Sequence, residues 1–405
     1  MNAPHTPSLL AAVPMAPKDP ILGITELYLA DQNPGKVNLG VGVYYDENGK
    51  VPLLGCVRQV EQQQVQSGAP RPYLPIDGLK SYDQAVQALV FGADAAALKE
   101  QRVVTVQALG GTGGLKIGAD FLRQLSPAAQ VWISDPSWEN HRALFEGAGF
   151  KVQAYPYYDA ATRGIRFDAM LSTLQGLPAG AIVVLHSCCH NPTGADLSQE
   201  QWRKVLAVVQ ARGLVPFLDL AYQGFADGID ADAYAPRLFA AAMSPIFLSS
   251  SFSKSLSLYG ERVGAFSLVA GSADEAARAL SQLKHLVRTN YSNPPTHGGD
   301  IVARVLTDPG LRQQWESELG AMRERIKAMR KALAAGVQQR VAGADWSFVL
   351  KQHGLFSYTG LSKAQVERLR SEFSIYAIET GRICVAALNA KNIGTVCDAI
   401  AKVIR

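Results

Sequence analysis

The sequence predicts an α/β fold: a large domain around a mostly parallel central sheet, joined to a smaller α/β domain. Short apolar runs alternate with amphipathic segments, and the runs lie at Gln130–Ser134, Ala181–His186, Val215–Leu220 and Pro245–Ser249. Between them, Ser198–Arg212 has a helical pattern that opens with a serine cap. Near-continuous apolar strands separated by helices are typical of parallel sheets covered on both faces.

The chain has 405 residues, which is enough for two domains. We predict a flexible N-terminal tail over residues 1–16, and an arm with part of the small domain over residues 17–50. The large domain is predicted over residues 51–310 and the C-terminal small domain over residues 311–405. The elements predicted for this last part are helices at Leu311–Arg340, Ser362–Phe373 and Asn392–Ile404, and strands at Ser347–Lys351 and Ile375–Ile378.

Composition excludes several classes of protein. Hydrophobic residues make up 48% of the chain and charged residues 18%, which predicts a soluble globular protein. The net charge is +4 without a run of Lys and Arg, so we expect no nucleic-acid partner. We expect no membrane partner either, because no apolar run reaches the roughly 18 residues of a membrane helix. The five cysteines are odd in number and form no C-x-x-C pair, which predicts free thiols and a cytoplasmic location.

A glycine-rich run precedes a predicted helix. Leu109–Gly114 reads LGGTGG and comes directly before the helical pattern of Leu115–Leu125. Glycines let a backbone approach a ligand closely, and a helix N-terminus offers unpaired N–H groups and a positive dipole end. The run therefore indicates an anion cradle, with phosphate as the favoured ligand; a tight turn without a ligand is the alternative. It matches neither the dinucleotide-binding pattern nor the P-loop.

Polar side chains occur at the carboxyl ends of the predicted strands, where parallel sheets gather their chemistry. Asn191 stands in an Asn-Pro-Thr-Gly turn after one strand, and Asp219 lies inside another. Burying a lone carboxylate is costly, so Asp219 needs a cation or a hydrogen-bond donor; a structural Asp satisfied by backbone N–H groups is the alternative. Zinc is disfavoured at the His and Cys cluster His186–His190, because consecutive ligands at a strand end cannot all face one metal. We predict no metal site.

Lys254 follows a predicted strand, among hydroxyl and apolar residues. Burial lowers the pKa of a lysine from about 10.4 towards neutrality, and such an amine is a nucleophile that forms Schiff bases. Ser251 and Lys254 also match the S-x-x-K motif of penicillin-binding enzymes, but the partner motifs S-D-N and K-T-G are not visible. Arg262, which has glycines nearby, offers a forked donor for phosphate, with a solvated surface arginine as the alternative.

Together these segments resemble the class I, aspartate-type aminotransferases that use pyridoxal phosphate (PLP), and the resemblance covers nearly the whole chain. It implies the type I fold of PLP-dependent transferases. No single segment is specific, but their joint occurrence in this order is. The matching segments are Asp19–Gly23, Val37–Tyr44, Gly110–Gly113, Asp135–Trp138, Cys188–Gly194, Asp219–Phe225, Ser251–Lys254, Arg288–Pro295 and Gly381–Arg382.

The resemblance implies catalytic and cofactor-binding roles. Lys254 resembles the lysine that binds PLP as a Schiff base and moves the α-proton. Asp219 resembles the carboxylate that keeps the pyridine nitrogen protonated, which makes the ring an electron sink. Tyr222, the third implied catalytic residue, and Asn191 resemble the groups bonded to the phenolic oxygen. The other implied PLP contacts are a phosphate cup of Gly110, Gly111, Thr112, Ser251, Ser253 and Arg262, and the stacked ring of Trp138.

The same resemblance implies substrate contacts and a partner subunit. Arg382 resembles the arginine that clamps the substrate α-carboxylate with its two-pronged guanidinium. Tyr73 and Arg288 resemble residues that the neighbouring subunit supplies, to the phosphate and to an acidic substrate side chain. The implied protein is a homodimer with shared active sites. The implied substrate-binding residues are Gly42, Trp138, Asn191, Arg288 and Arg382.

A few positions distinguish two close branches of this family. Arg288 favours dicarboxylic substrates, including the glutamate and 2-oxoglutarate pair. Tyr45, Val51 and Pro72 stand where the aspartate branch often has polar or charged residues, and a less polar entrance favours an aromatic ring; Asn293 departs from that trend. We predict an aminotransferase for tyrosine and phenylalanine with 2-oxoglutarate that also accepts aspartate. A plain aspartate aminotransferase is the alternative.

Two other classes of protein explain fewer of these residues. A nicotinamide oxidoreductase would use Gly110–Gly114 for pyrophosphate but would leave Lys254 and Asp219 without a role. A catalytically silent PLP-binding regulator would be expected to carry an added DNA-binding segment, and none is visible. The presence of both Arg382 and Lys254 favours an active enzyme.

Overall fold

Strands and helices alternate along most of the structure, a computed structural model that describes residues 8–16 and 20–405. Residues 1–7 and 17–19, which belong to the predicted tail and arm and include Asp19, lie outside the described residues. The strands are β1 (Val37–Asn38), β2 (Val103–Leu109), β3 (Gln130–Asp135), β4 (Lys151–Pro156), β5 (Tyr158–Asp159), β6 (Gly164–Ile165), β7 (Ile182–His186), β8 (Val215–Leu220), β9 (Ile246–Ser251), β10 (Val263–Val269), β11 (Phe356–Tyr358), β12 (Ile375–Tyr376) and β13 (Arg382–Cys384). The helices are α1 (Pro20–Ala30), α2 (Gly55–Ser67), α3 (Lys80–Phe91), α4 (Ala96–Lys99), α5 (Gly110–Leu125), α6 (Glu139–Gly147), α7 (Phe167–Gly176), α8 (Gln199–Arg212), α9 (Ile229–Asp232), α10 (Tyr234–Ala242), α11 (Ala273–Asn290), α12 (Thr296–Thr307), α13 (Pro309–Arg340), α14 (Lys363–Phe373) and α15 (Ile393–Ile404).

Seven strands form the central sheet in the order β2-β10-β9-β8-β7-β3-β4. The neighbours from β9 to β4 are parallel, and β10 runs antiparallel to both β2 and β9. Successive residues of β7 enter opposite cores: Ile182 and Val184 join one apolar cluster, whereas Val183 and Leu185 join the other. The sheet is therefore buried on both faces, and the predicted α/β fold with a mostly parallel sheet is confirmed.

The C-terminal elements gather around the long helix α13. This helix begins after Asp308, whose Oδ1 accepts the N–H of Leu311 at 2.9 Å and so caps its first turn. Helix α15 packs against α13. Strand β1 pairs in parallel with β12, so residues near the start of the chain lie beside C-terminal ones. The division of the chain into the four ranges given above stays a prediction.

Several elements differ from the sequence-based expectation. Ser347–Lys351 forms a 3-10 helix instead of the predicted strand; Oδ1 of Asp345 accepts the N–H of Ser347 where the turn begins. A short apolar run does not by itself distinguish a strand from a helical turn, which explains this error. The helix predicted from Leu115 begins at Gly110, so the glycines form its first turns. Of the predicted strand Ile375–Ile378, the first two residues pair with β1.

The described part of the predicted tail, residues 8–16, is exposed throughout and contains a 3-10 helix at Leu9–Ala12. All five cysteines are free thiols and are buried. Within the two described ranges, no helix combines the length and the apolar character that a membrane crossing requires.

Candidate active site

The carboxyl ends of β7, β8 and β9 and the N-terminus of α5 surround a cavity of about 240 Å³. Parallel sheets bind ligands at this edge, because the strand ends and the loops that follow them meet there. We call it the central cavity. The predicted site residues that line it are Gly42, Gly111, Thr112, Trp138, Asn191, Asp219, Tyr222, Ser251, Ser253, Lys254 and Arg262.

Lys254 contributes a buried amine to the central cavity. Strand β9 ends at Ser251, whose Oγ accepts the N–H of Ser253 at 3.3 Å, and Lys254 follows directly after this turn. Burial lowers the pKa of Lys254 to about 8, although the negative charge of Asp219 opposes the shift. Its Nζ lies 4.9 Å from the ring centroid of Tyr222. A substantial fraction of the amine is therefore neutral and nucleophilic near pH 7.5.

Asp219 lies within β8, and its buried carboxylate is paired. Its Oδ2 accepts a hydrogen bond from Nε2 of His141 at 2.9 Å, and Nδ1 of His141 lies 2.9 Å from Oγ of Ser137. Burial raises the pKa of Asp219, but the bond from His141 and the nearby charge of Lys254 outweigh it and lower the pKa overall. Asp219 is therefore ionised at neutral pH. The bond to His141 uses one oxygen and leaves the other for a ligand.

An anion cradle lies at the N-terminus of α5. No described side chain caps this helix, which leaves N–H groups of its first turn for a ligand. Arg262 reaches the same point, because a Cβ added to Gly110 would lie 2.4 Å from Nη2 of Arg262. Nη1 of Arg262 donates to the carbonyl oxygen of Tyr259 at 3.0 Å and to Oγ of Ser253 at 3.4 Å. The helix dipole and the guanidinium together favour an anion such as phosphate.

Arg382 is a second guanidinium beside the central cavity, and only 1% of its surface is exposed. Its Nη1 donates to Oδ1 of Asn191 at 3.1 Å, and its Nη2 donates to the carbonyl oxygen of Gly40 at 2.7 Å. The guanidinium lies over the ring of Phe356, 4.3 Å from the centroid. Its Nε finds no hydrogen-bond partner in the part of the chain that the structure describes. A buried guanidinium with an unpaired N–H group is well suited to bind a carboxylate.

Comparison with known proteins identifies the family. The sequence model described as Aminotransferase class I and II matches residues 34–400. The chain belongs to this aminotransferase family. An aspartate aminotransferase from Pseudomonas aeruginosa is 59% identical over 397 residues, which cover 98% of this chain and 100% of that relative. An aromatic-amino-acid aminotransferase from Escherichia coli is 51% identical over 387 residues, which cover 95% of this chain and 98% of that relative.

A solved structure extends this similarity to the whole fold. The aromatic-amino-acid aminotransferase from Burkholderia pseudomallei, which is covalently bound to pyridoxal phosphate, has a TM-score of 0.97 and 62% identity. The match covers 98% of this chain and 100% of that one. The aminotransferase described here therefore has the type I fold of PLP-dependent transferases, as the resemblance implied.

The central cavity of this aminotransferase fits pyridoxal phosphate, the cofactor of the family. The cradle of α5 and Arg262 suits the phosphate, and Lys254 offers an amine for the aldehyde carbon. Asp219 is an ionised acceptor that suits a protonated ring nitrogen. Burial raises the pKa of Tyr222, so its hydroxyl stays protonated and can donate to the phenolic oxygen. Each side chain thus matches one group of the cofactor.

His141 and Tyr259 are among the residues of the site that sequence reasoning does not find. His141 lies three residues after Trp138 at the start of α6, and their ring centroids are 5.4 Å apart. Residues at this helical spacing share a face, so the spacing carried a signal for His141. Tyr259 lines the central cavity, and its hydroxyl oxygen accepts the N–H of Tyr44 at 2.9 Å. Tyr259 lies between Lys254 and Arg262 in the sequence, and this position could have indicated that it belongs to the site.

Among the residues that the structure describes, two groups of side chains bring metal-binding atoms together. The donor atoms of each group lie within 4.8 Å of one another, and the groups are His141, His186 and Asp219, and Cys188, Cys189 and Asp232. In the first group, Asp219 is already bonded to His141. In the second, the carboxylate of Asp232 accepts four backbone N–H groups. Both carboxylates are satisfied within the protein, and we assign neither group to a metal.

The remaining predicted site residues lie outside the lining of the central cavity. Gly110 and Arg382 border it through the contacts described above. Tyr73 is 91% exposed. Arg288, near the end of α11, is also exposed and donates a hydrogen bond to a nearby serine. The roles of Tyr73 and Arg288 toward a neighbouring subunit stay a prediction.

Three of the positions used to predict substrate choice, Tyr45, Val51 and Pro72, also do not line the central cavity. Tyr45 is half-buried and lines a separate cavity together with Tyr28. Val51 and Pro72 are exposed. The influence of these three residues on specificity stays a prediction.

Proposed function

We propose that this aminotransferase moves the amino group between tyrosine or phenylalanine and 2-oxoglutarate, and that it also accepts aspartate. The observation that carries the proposal is the buried set of Lys254, Asp219 and Arg382 around one cavity. Similarity to aromatic-amino-acid aminotransferases at 62% and 51% identity supports aromatic substrates. A plain aspartate aminotransferase is the second candidate, favoured by the relative at 59% identity.

Substrate binding begins at the α-carboxylate. Asn191 accepts a hydrogen bond from Arg382 through Oδ1, which leaves its amide N–H groups for a ligand. The Nε–H of Arg382, which has no partner among the described residues, is the second donor. Because the guanidinium is buried, each charge-assisted bond to the substrate is worth about 1.5–3 kcal/mol. Arg382 and Asn191 therefore fix the orientation of the α-carbon that reacts.

Lys254 moves the proton of the substrate α-carbon. Pyridoxal phosphate, when bound, supplies an electron-withdrawing ring that stabilises negative charge at that carbon. With a pKa of about 8, the amine of Lys254 is basic enough to take the proton and, once charged, acidic enough to return it. Asp219 holds a proton on the ring nitrogen of the cofactor, because it is ionised and because His141 fixes its carboxylate.

The same donors serve both halves of the reaction. An amino acid enters, would leave its amino group on the bound cofactor and departs as its 2-oxo acid. 2-Oxoglutarate then binds at the same place and takes up that amino group. Every substrate carries a carboxylate next to the reacting carbon, so Arg382 and Asn191 bind each of them in turn. Initial rates should therefore follow a ping-pong pattern.

The proposed assembly is a homodimer with shared active sites in the cytoplasm. Tyr73 and Arg288 are exposed and lie outside the central cavity of their own chain, which supports a role in the site of a second copy. The five free, buried cysteines support a reducing compartment. The proposed partners are small amino and 2-oxo acids, without nucleic acid or membrane.

Half-reaction titrations test the proposed function. The PLP-loaded enzyme is mixed with phenylalanine, tyrosine or aspartate, and the visible absorbance of the bound cofactor is recorded. We expect each amino acid to remove the absorbance and 2-oxoglutarate to restore it, with a Lys254→Ala variant as the silent control. A response to aspartate alone would favour the plain aspartate aminotransferase. No response to any of them would exclude amino transfer.

A further inference from the structure

Arg330 is a buried cation behind the carboxylate site, and the proposed mechanism gives it no role. It lies on α13 with 3% of its surface exposed. Its Nη1 donates to Oγ of Ser357, and its Nη2 donates to the carbonyl oxygens of Gly354 at 2.7 Å and Phe356 at 2.5 Å. Burial lowers its pKa to about 10, so it stays charged at neutral pH. A cation buried among neutral oxygens is costly.

The three acceptors belong to one short segment, Gly354–Ser357, which leads into β11. Phe356 of this segment lies under the guanidinium of Arg382, with 4.3 Å between the guanidinium carbon and the ring centroid. The ring also contacts the backbone of Gly42, where an added Cβ would lie 2.6 Å from Cζ of Phe356. Arg330 holds the backbone that carries this ring, and the ring in turn supports Arg382.

The same stretch of backbone supports the turn that carries Asn191. The N–H of His353, next to Gly354, donates to the carbonyl oxygen of Gly194 at 2.7 Å. A Cβ added to Gly194 would lie 2.9 Å from the carbonyl oxygen of Phe356, so the two backbones are in close contact. The turn from Asn191 to Gly194 therefore rests on the segment that Arg330 holds.

We infer that Arg330 is a positioning residue for the substrate α-carboxylate: its guanidinium fixes Gly354–Ser357, and this segment fixes Arg382 and Asn191. This role rests on the proposed function of those two residues. The forked shape matters more than the charge, because two nitrogens reach three acceptors that lie in different directions. A lysine ammonium is a compact point charge and cannot reproduce that arrangement. Residues 354–357 do not line the central cavity, and Asn191 is only one of several residues suited to the cofactor, so cofactor binding should depend on Arg330 far less than carboxylate binding does.

The test compares carboxylate binding with cofactor binding in the PLP-loaded enzyme. The probe is 3-phenylpropanoate, which has a ring and a carboxylate but no amino group to react. Arg330→Met keeps much of the side-chain volume and removes the fork. We expect the Kd for the probe and the KM for phenylalanine to rise about tenfold or more, because misplaced binding groups cost rate and affinity. The kcat should fall less than about threefold, and the Kd for PLP should change less than about twofold.

Two further variants and a control sharpen the test. Ser357→Ala removes one of the three bonds and should raise the Kd for the probe between about twofold and tenfold. Arg330→Lys keeps the charge and should not restore probe binding. Arg340→Met is the matched control, because Arg340 lies on the same helix but bonds to Asp398 at 2.5 Å. It should bind the probe and PLP as the wild type does.

Wild-type probe binding in Arg330→Met would overturn the positioning role, and so would equal losses of probe and PLP affinity. If Arg330→Lys bound the probe as tightly as the wild type does, the charge of the side chain and not its forked shape would be responsible. If Arg330→Met does not fold, the same two dissociation constants for Ser357→Ala decide the matter. A wild-type enzyme that binds the probe but transfers no amino group would refute the proposed function. If the variants bind the probe as the wild type does while the wild type transfers amino groups, only the role of Arg330 is refuted.

Discussion

Lys254 offers a quantitative test of the site, because burial and two neighbouring charges set its pKa. Burial lowers the pKa from 10.5 to about 8, Asp219 opposes the shift and Arg262 adds to it. The shift corresponds to about 3 kcal/mol against the charged form. At pH 7.5 roughly a quarter of the amine is then neutral, compared with about one thousandth for an ordinary lysine. The concentration of nucleophile is therefore raised roughly two hundredfold.

The sign of each perturbation follows from these causes. In the cofactor-free protein, Asp219→Asn removes a negative charge that favours the ammonium form, so the pKa of Lys254 should fall below 8. Arg262→Met removes a positive charge that disfavours the ammonium, so the pKa should rise. The measurement is an NMR titration of the protein labelled with carbon-13 at its lysines, in which Lys254→Met assigns the signal.

A titration midpoint at 10 or above would refute activation of Lys254 by burial. Movement of the midpoint in the same direction in both variants would refute the assignment of the two charges, even if the wild-type value lay near 8. Unchanged midpoints in both variants would mean that burial alone lowers the pKa of Lys254 and that the charges of Asp219 and Arg262 do not contribute.

The remaining predictions concern substrate binding and assembly. Gly42→Ala would place a Cβ 2.6 Å from Cζ of Phe356, so the displaced ring should loosen Arg382 and raise the KM for phenylalanine more than it lowers kcat in steady-state assays. Arg288→Leu should lower kcat/KM for aspartate roughly ten- to a hundredfold, the worth of a charge-assisted pair, and should change phenylalanine turnover far less; equal losses would make the side chain structural. Mixed dimers of Arg288→Ala and Lys254→Ala chains should regain aspartate turnover after subunit exchange, and a failure to do so would indicate that each chain carries a complete site.

The chemistry at the strand ends could be predicted because its signals are local. Asp219 and Lys254 are charged residues within or just after apolar runs, and burial of either one demands a partner. Since the carboxyl ends of parallel strands meet at one edge, residues far apart in the sequence could be expected in one cavity. The serine cap of α8 is equally local, because Ser198 and Gln201 bond each other's backbone N–H groups.

Features that depend on distant partners could not be predicted in this way. The bond between His141 and Asp219 joins residues 78 positions apart, so the spacing of His141 from Trp138 does not reveal it. Arg330 stands in a charged helical pattern that is typical of a solvated face, but the segment after α13 buries it. The glycines of Leu109–Gly114 look like a loop, yet a Cβ at Gly114 would lie 2.7 Å from the carbonyl oxygen of Ala265 in β10 and 2.7 Å from Oγ of Ser249 in β9. They are helix surface pressed against the sheet, which no local pattern reveals.

The antiparallel strand β10 has a consequence for how such an enzyme acquires new substrates. It begins at the edge where β9 ends, so Lys254 and Arg262 lie on one short connection between Ser251 and Val263. The amine and the guanidinium that suits the phosphate are therefore held at a set separation by a single loop. The side chains proposed to bind the substrate carboxylate, Arg382 and Asn191, come from other parts of the chain. Mutations around those parts can therefore change substrate selectivity while the loop keeps Lys254 and Arg262 in place.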